Sequence, residues 1–401
     1  MLVAPPANRI NWRRAMSHAS RKKVVVLGAG MIGSAMARDL AADSGLQVDV
    51  ADARADSLER VAAQAPVGGV RADLASPEAV RRLVATYDLV VGALPSVIGF
   101  QTLRAAIEAG RPVVDISFMP ETLLDLDPLA RERGVVAVAD CGVAPGLSNM
   151  MAGAAASRLD PCERIEIYVG GLPVERRWPF DYKAGFAPSD VLEEYTRPAR
   201  VVEHGRVVVK EPLSEPELVD FPGVGTLEAF NTDGLRSLVD TLKAPFMKEK
   251  TMRWPGHADL MRAFRDTGFF SLEPIEVGGH TVRPRDLTAA LLFPRWTFEE
   301  GEADLTVMRV RVEGRQKGER VAYAWDFLDR FDEGTGLRSM SRSTGFVATA
   351  VVRLLLDGTF QRPGAHPPET LGAVPGVLER VLADLTARGI RCRATVTPLG
   401  D

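Results

Sequence analysis

Several features that would restrict the function are scarce or missing in this 401-residue sequence. It has three cysteines and no CxxC pair, which argues against a disulfide framework and a zinc site and suits a reducing compartment. No apolar run approaches the ~20 residues of a membrane span. A net charge of -4 gives no electrostatic reason to bind nucleic acid or an anionic membrane. We therefore expect a cytoplasmic protein without a metal, membrane or nucleic-acid partner.

The first twenty residues, MLVAPPANRINWRRAMSHAS, contain three arginines and no acid. We predict that residues 1–20 form a disordered extension, with Met16 as an alternative start. A transit peptide would have a similar composition and remains the other interpretation. This segment is excluded from the fold prediction.

Strands and helices alternate from Lys22 onward. The apolar runs KVVVLGA, QVDVAD, DLVVGAL, PVVDIS and VVAVAD read as buried strands, and stretches of helical periodicity separate them. This alternation indicates right-handed βαβ units and a doubly wound parallel sheet of the Rossmann type. The fold class predicted is therefore α/β.

A glycine-rich turn follows the first strand and opens a helix. Its residues are Gly28, Ala29, Gly30, Met31, Ile32 and Gly33. Asp52 ends the second strand, 19 residues after Gly33. A GxGxxG sequence is weak evidence alone, but this context is typical of a dinucleotide site, with the pyrophosphate at the helix N-terminus.

Asp52 bears on the choice of nucleotide. A carboxylate at this position accepts hydrogen bonds from the ribose hydroxyls and repels a 2′-phosphate. Arg54, two residues later, has the charge to neutralise a 2′-phosphate. We predict NAD as the cofactor and leave NADP as the alternative.

Other strand ends are predicted to line the same crevice, because doubly wound sheets bind ligands at their carboxyl edge. For the cofactor these are Asp73, Ala93, Leu94, Pro95, Ser117, Phe118, Val143 and Pro145. Ser96 is predicted to contact the substrate. The last strand end reads ADCGVAPG, in which Asp140 is either functional or a helix N-terminal acid, and Cys141 a small buried residue.

The second half is strand-rich, with turns at HG, GG and GRQKG that indicate antiparallel hairpins. The apolar stretch TGFVATAVVRLLLDGT then returns to helix. We predict a dinucleotide-binding domain of residues 21–149 plus 340–401, and an inserted α+β domain of residues 150–339 for substrate binding and dimerisation. The C-terminal helices are expected to pack on the first domain.

Motifs in a fixed order carry a resemblance to a known family. They are VLGAGMIGSAMARDLA, DCGVAPGLSN, YVGGLPV, DVLEEYTRPA, PLSEPE, LEAFNTDG, KTMRWPGHA and VRPRD. In these the chain resembles the saccharopine dehydrogenase family, and within it is most similar to the lysine 6-dehydrogenases. The resemblance implies NAD(P)-dependent redox chemistry at a C–N bond, an amino-acid substrate, and a homodimer or homotetramer.

One stretch departs from the saccharopine reductases of that family. Where they usually read Pro-Asn-Arg-Asp-Ser, this chain has Thr232-Asp233-Gly234 after Asn231. Together with Asp52, this departure favours a smaller substrate and NAD. The function predicted is oxidative deamination of the ε-amine of L-lysine to 2-aminoadipate 6-semialdehyde, which closes to piperideine-6-carboxylate.

That chemistry needs a carboxylate clamp and a group that takes a proton. Arginine grips a carboxylate with two bonds, so the candidates within the motifs are Arg197, Arg236 and Arg253. His257 is the first candidate proton acceptor, with Asp140 and Tyr195 as rivals. Asn231, Thr232 and Asp233 are candidates to bind the substrate α-amine, or form an Asx turn.

Two other functions remain open at this point. The first is a saccharopine-type dehydrogenase, whose substrate carries three carboxylates and needs additional cations. The second is a nucleotide-binding regulatory module without turnover. The motifs of the second domain disfavour that module, because a sensor needs only the nucleotide site.

Overall fold

The computed structural model describes residues 21–185 and 188–400, without the side chains of residues 188 and 189. The predicted extension of residues 1–20 lies outside the described residues. The strands are β1 Lys22–Leu27, β2 Leu46–Asp52, β3 Gly68–Arg71, β4 Leu89–Gly92, β5 Val113–Asp115, β6 Val136–Val138, β7 Cys162–Pro173, β8 Ala199–Glu203, β9 Arg206–Lys210, β10 Glu217–Phe221, β11 Gly225–Asn231, β12 Phe246–Arg253, β13 Ile275–Val277, β14 His280–Val282, β15 Asp304–Gln316, β16 Glu319–Arg330, β17 Gly364–Ala365 and β18 Cys392–Pro398.

The helices surround these strands. They are α1 Met31–Ala41, α2 Ala55–Gln64, α3 Pro77–Val84, α4 Ser96–Glu108, a 3₁₀ helix Leu123–Leu126, α5 Asp127–Arg133, α6 Leu147–Ala156, α7 Pro188–Thr196, α8 Leu238–Thr241, α9 His257–Asp266, α10 Pro284–Trp296, α11 Ser339–Leu356, α12 Pro368–Gly372 and α13 Val377–Ala387. Within the described ranges, none combines the length and apolar composition needed to cross a membrane.

The first sheet is parallel throughout its described strands, in the order β17-β6-β5-β4-β1-β2-β3. Side chains of a strand alternate between faces, and β1 uses both. Val24 and Val26 belong to one apolar cluster, whereas Val25 and Leu27 belong to another, and all four are fully buried. A continuous apolar strand is therefore covered on both sides, which confirms the doubly wound α/β prediction.

The second sheet is mixed, in the order β10-β11-β12-β7-β15-β16-β18, with β8 and β9 beside β12. Two-residue turns join two of its hairpins, within the HG and GRQKG stretches that predict turns. His204-Gly205 connects β8 to β9, and Lys317-Gly318 connects β15 to β16. Both residues of each turn have positive φ, between 51° and 88°. This backbone twist matches the right-handed twist of the paired strands.

Helix α11 connects the two sheets. Its Val347 lies in the same apolar cluster as Val26 of the first sheet and Met308 of the second. Arg353 of α11 also forms ion pairs of 2.9 Å with Asp39 of α1 and 2.8 Å with Asp43 just beyond it. The C-terminal helices thus pack between the sheets and hold the first-domain helix α1 in place.

The last strand departs from the predicted domain division. Although residues 340–401 were assigned to the nucleotide domain, β18 pairs antiparallel with β16 of the second sheet. Six of the seven β18 residues are exposed, so the sequence carries no burial pattern that would place this strand. The remaining domain bounds stay a prediction.

Candidate active site

A cavity of about 600 Å³ opens between the carboxyl edge of the first sheet and the second sheet. Its nucleotide end is formed by the glycine-rich turn, Asp52 and the strand ends of β4, β5 and β6. Its other end, which we call the substrate end, is formed by α7, β7, β12 and the segment Thr232–Gly234. The volume is within the ~300–1,000 Å³ range of small-molecule sites.

The glycine-rich turn has the shape that a dinucleotide requires. Gly28 has φ +106°, and a Cβ there would lie 2.4 Å from the Ala93 carbonyl oxygen. A Cβ on Gly33 would lie 2.0 Å from the Gly28 oxygen, whereas a Cβ on Gly30 would meet nothing within 4 Å. Gly30 precedes α1, whose N-terminus has no side-chain cap. Open space beside uncapped helix amides fits a pyrophosphate.

Asp52 lies in the cavity wall at the end of β2. Its Oδ2 accepts the Ala29 N–H at 2.7 Å, and its Oδ1 accepts the Arg54 N–H at 2.8 Å. These bonds hold the carboxylate against the glycine-rich turn. The Arg54 guanidinium donates instead to both oxygens of Asp56, and its side chain is 67% exposed.

Most predicted cofactor residues face this cavity. Its lining includes Gly28, Gly30, Met31, Ile32, Gly33, Asp52, Ala93, Leu94, Pro95, Ser117, Phe118, Val143 and Pro145. Ala29 is buried behind Asp52 and contributes its N–H to that carboxylate. The structure does not support Asp73, which is exposed outside the lining and accepts the Ala75 N–H at 3.0 Å. Ser96 is also outside the lining, because its hydroxyl donates to Asp190 at 3.1 Å.

Asp140 and Arg236 form an ion pair away from the large cavity, in which Asp140 Oδ1 has no hydrogen-bond partner among the described residues. Arg236 Nε donates to Asp140 Oδ2 at 3.1 Å, and its Nη2 donates to the Met119 carbonyl at 2.6 Å. Both side chains are buried, and they line a separate cavity of about 50 Å³. Because neither residue lines the large cavity, this geometry does not favour the predicted roles of Asp140 as a proton acceptor and Arg236 as a clamp. The pair instead ties the end of the β6 segment to the second sheet.

Cys141 follows as a fully buried residue. Burial raises the pKa of its thiol, and the neighbouring carboxylates of Asp115 and Asp140 raise it further. A protonated, inaccessible thiol is a packing residue, as the sequence interpretation favours.

His257 and Tyr195 lie in an aromatic cluster outside the cavity lining. The Tyr195 hydroxyl is 2.8 Å from His257 Nε2, and His257 Nδ1 is 3.0 Å from the Phe180 carbonyl oxygen. Burial lowers the pKa of His257 to about 3, with a further contribution from the Arg253 charge. The imidazole is therefore neutral, with Nδ1–H donating to Phe180 and Nε2 accepting from Tyr195.

That arrangement corrects two predictions. Neither ring nitrogen of His257 is left to take a substrate proton, and burial raises the pKa of Tyr195 well above its usual value. Both residues are packing groups in this structure. His257 is the first residue of α9 and follows the N-cap residue Gly256.

Arg197 and Arg253 do reach the cavity. The Arg197 guanidinium stacks 4.8 Å from the centre of the Phe118 ring, and its Nη1 has no hydrogen-bond partner among the described residues. Arg253 donates through Nη2 to Glu194 at 2.7 Å and through Nη1 to the Met252 carbonyl at 3.0 Å. Its Nε likewise lacks a partner in the described part of the chain. Both unpartnered nitrogens are buried, so what the two arginines bring to the cavity wall is the positive charge of their guanidiniums.

The residues at the end of β11 and just after it also differ in whether they line the cavity. Asn231 is fully buried outside the lining, and its amide donates to Ser214 and Glu215, both at 3.1 Å. Its predicted contact with the substrate is therefore not supported. Thr232 and Asp233 line the cavity, and Asp233 accepts from Arg200 Nε at 2.9 Å.

Among the lining residues at the substrate end, Asp190, Glu193, Glu194 and Thr251 were not predicted, and they lie beside the predicted Arg197 and Arg253. On and after α7 the cavity meets Asp190, Glu193, Glu194 and Arg197, whose spacing of three, four and seven residues places them on one helix face. On β12, Thr251 lies between Glu249 and Arg253 with one residue separating each, so all three share a face. Both periodicities are visible in the motifs DVLEEYTRPA and KTMR.

Two family models cover most of the chain. The saccharopine dehydrogenase C-terminal domain matches residues 142–390, and the saccharopine dehydrogenase NADP binding domain matches residues 24–138. The chain belongs to the saccharopine dehydrogenase family. The family thus places a pyridine-nucleotide domain on the half that carries the glycine-rich turn.

Relatives in this family are distant in sequence. Saccharopine dehydrogenase [NADP(+), L-glutamate-forming] of Saccharomyces cerevisiae is 23% identical over 86% of this chain and 94% of its own. The mitochondrial alpha-aminoadipic semialdehyde synthase of Bos taurus is 23% identical over 92% of this chain and 48% of its own. The chain therefore spans about half the length of that relative and of the one from Mus musculus.

A solved structure confirms the fold described above for the present chain. The apo histidine-tagged saccharopine dehydrogenase (L-Glu forming) from Saccharomyces cerevisiae superposes with a TM-score of 0.77. The comparison covers 94% of this chain and 100% of that one, at 18% identity. The likeness supports the two-sheet architecture.

Proposed function

We propose that this protein is an NAD-dependent dehydrogenase that removes the ε-amine of L-lysine. The products are ammonia and 2-aminoadipate 6-semialdehyde, which cyclises to piperideine-6-carboxylate. The observation that carries the proposal is the cavity that joins the glycine-rich turn and Asp52 to the guanidiniums of Arg197 and Arg253.

The nucleotide end supports NAD. Bound NAD would supply the hydride acceptor for the carbon that carries the amine. The Asp52 carboxylate faces the cavity where a ribose would lie, and its charge opposes a 2′-phosphate. Arg54 is engaged with Asp56 and does not line the cavity. The matched family model is named for NADP. We propose NAD instead because of the positions of Asp52 and Arg54.

The substrate end supports a compact amino acid with two ammonium groups. Its charged lining residues are Asp190, Glu193, Glu194, Asp233, Arg197 and Arg253. The two guanidiniums offer donors for one carboxylate, and the carboxylates suit ammonium groups. Lysine carries one carboxylate and two ammoniums at neutral pH, which corresponds to this set.

A saccharopine-type dehydrogenase is the second candidate, because several relatives are named for that activity. Saccharopine carries three carboxylates. The two further arginines nearby are already paired, Arg200 with Asp233 and Arg285 with Glu193. Among the described lining residues, no third guanidinium faces the cavity, which disfavours the larger anion.

The reaction also requires a neutral amine. An ammonium has no lone pair for forming the C=N bond, and free lysine has a side-chain pKa near ~10.4. The protein must therefore accept a proton before or during oxidation. Water then adds to the C=N carbon, and ammonia leaves.

Turnover assays separate the two candidates. Purified protein is incubated with NAD or NADP and with L-lysine or saccharopine, and reduced nucleotide, ammonia and glutamate are measured. We expect reduced nucleotide and ammonia from lysine with NAD. Cadaverine, which lacks the carboxylate, is the matched control and should react with a lower kcat/KM. Turnover of saccharopine but not lysine, with glutamate as product, would overturn the proposal.

Assembly and location are separate proposals. We propose a homodimer or homotetramer and a cytoplasmic location, on the resemblance and the cysteine content stated above. Size-exclusion chromatography with light scattering tests the first, and fractionation of the source cells tests the second.

A further inference from the structure

A buried carboxyl group lies directly behind the substrate end of the cavity. Glu249 of β12 is 3% exposed and does not line the cavity. Its Oε2 accepts the Thr232 hydroxyl at 2.6 Å and the Gly234 N–H at 3.1 Å. A Cβ on Gly234 would lie 2.3 Å from Glu249 Cδ, so this site needs glycine.

Two hydroxyl groups connect that carboxyl group to the cavity. Thr232 Oγ1 is 2.8 Å from Thr251 Oγ1, and both threonines are part of the lining. Because the Thr232 proton goes to Glu249, Thr251 must be the donor in the bond between the hydroxyls. The Thr251 oxygen then keeps lone-pair capacity for a proton donor in the cavity.

The surroundings of Glu249 make it a base near neutral pH. Burial, together with the neighbouring acids Glu194 of α7 and Asp233, raises its pKa to about 8. The Thr232 hydroxyl and Gly234 N–H oppose this rise by stabilising the ionised form. The nearby cations are paired elsewhere, Arg253 with Glu194 and Arg200 with Asp233. From β7, the residue opposite Glu249 is the apolar Ile167.

We propose that Glu249 is the terminal acceptor of the proton lost by the substrate amine, reached through Thr251 and Thr232. This inference rests on the proposed amine oxidation and adds the route of its proton. It replaces His257, whose ring nitrogens are both occupied.

In this transfer each threonine hydroxyl gains one proton and loses one, and Glu249 keeps the last proton. The substrate ammonium gives a proton to Thr251 Oγ1, whose own proton passes to Thr232 Oγ1. The Thr232 proton then passes to Glu249 Oε2, which becomes a carboxylic acid. The nitrogen lone pair released by this step forms the C=N bond as the hydride leaves the carbon. After product release, the proton on Glu249 passes back through the Thr232 and Thr251 hydroxyls to water in the cavity, which restores the carboxylate.

Steady-state kinetics of the full-length protein test the relay. With L-lysine and NAD, wild-type kcat should rise with pH through the pKa of about 8 and then level off, because only ionised Glu249 accepts a proton. Glu249→Gln should lower kcat at pH 8 by about 100-fold and remove this inflection. The KM for lysine should change by less than about threefold, since the residue does not touch the substrate.

Thr232 provides the conservative comparison. Thr232→Ser keeps the hydroxyl and should retain most activity, whereas Thr232→Val breaks the relay and should resemble Glu249→Gln. The matched structural control is Glu369→Gln. Glu369 is a buried carboxyl group that accepts the Thr241 hydroxyl at 2.6 Å and lies outside the cavity lining. Its substitution should leave the pH profile unchanged.

An infrared titration adds a readout that is independent of turnover. The difference between wild type and Glu249→Gln should contain a carboxylic-acid C=O band that disappears as the pH rises through about 8. A folded Glu249→Gln protein with a wild-type pH profile, or a fully active Thr232→Val variant, would overturn the relay.

The relay and the proposed function fail in different ways. If wild type oxidises saccharopine instead of lysine, the lysine proposal fails, and the same variants measured with saccharopine decide the relay. If wild type oxidises neither amine, both proposals fail.

Discussion

The two ends of the cavity differ in how their residues come together. At the nucleotide end, one continuous turn supplies the five lining residues Gly28, Gly30, Met31, Ile32 and Gly33, and Asp52 is anchored to it by the Ala29 N–H. At the substrate end, α7, β7, β12 and the Thr232–Gly234 segment each supply a few side chains. The first is a local backbone structure, whereas the second exists only after distant segments pack. Variants at the two ends should therefore behave differently.

The largest difference is expected between substitutions of two arginines, Arg236 and Arg197. Arg236→Met should lower the free energy of unfolding by about 3–5 kcal/mol, because it leaves Asp140 buried without its partner. The KM for lysine should stay unchanged in the folded fraction. Chemical denaturation and steady-state kinetics measure the two effects.

Arg197→Met is the matched change in the cavity wall. It should raise the KM for lysine about 30-fold through the loss of a charge-assisted bond of ~2 kcal/mol, with a smaller effect on stability. Arg236→Met combined with Asp140→Asn should recover part of the lost stability. A raised KM for Arg236→Met would instead restore Arg236 as a clamp.

Two glycines test the nucleotide end. Gly33→Ala places a Cβ 2.0 Å from the Gly28 backbone oxygen and should destabilise the protein by about 3 kcal/mol. Gly30→Ala meets nothing within 4 Å in the protein, so it should keep the wild-type Tm but weaken NADH binding. Thermal unfolding and NADH fluorescence titration separate these outcomes. Equal losses of Tm in both variants would contradict the assigned roles.

His257 tests whether the aromatic cluster is structural. His257→Gln should leave kcat within about twofold and lower stability at pH 7 by about 2 kcal/mol, because the group packs outside the cavity. The pKa of His257 falls from 6.5 to about 3 in the folded state, so its contribution is present above pH 6.5 and is lost as pH falls toward 3.

Protonation of His257 should therefore cost the wild-type protein up to about 1.4 kcal/mol of unfolding free energy for each pH unit below 6.5. The His257→Gln variant should lose less over the same pH range. Urea denaturation at several pH values measures the slopes. A large fall in kcat with unchanged stability would return His257 to the reaction.

Asp52 has the smallest predicted effect. Asp52→Asn keeps an acceptor for one backbone N–H but removes the charge that opposes a 2′-phosphate. The ratio of kcat/KM for NADP to that for NAD should rise about tenfold, or ~1.4 kcal/mol. Arg54→Ala is the control and should change the ratio little, since its side chain pairs with Asp56. Efficient use of NADP by wild type would contradict the NAD proposal.

The local features of the sequence predicted the fold well. The β-branched runs predicted the parallel sheet, and the stretches HG and GRQKG predicted hairpin turns, which the structure confirms at His204-Gly205 and Lys317-Gly318. These predictions succeed because their physical causes act within a few residues. Strand β18 was missed for the opposite reason, since mostly exposed side chains carry no pattern.

The sequence by itself determined which segments bind a nucleotide, because the shape of the glycine-rich turn depends on backbone sterics within one motif. Only the tertiary structure decided which charged and polar side chains face the substrate end. Arg253 lies in the motif KTMRWPGHA and Arg236 two residues after LEAFNTDG, yet Arg236 pairs with Asp140 and Arg253 faces the cavity. The partner of a buried charge comes from a distant segment, Asp140 for Arg236 and Glu194 for Arg253, so packing alone selects it.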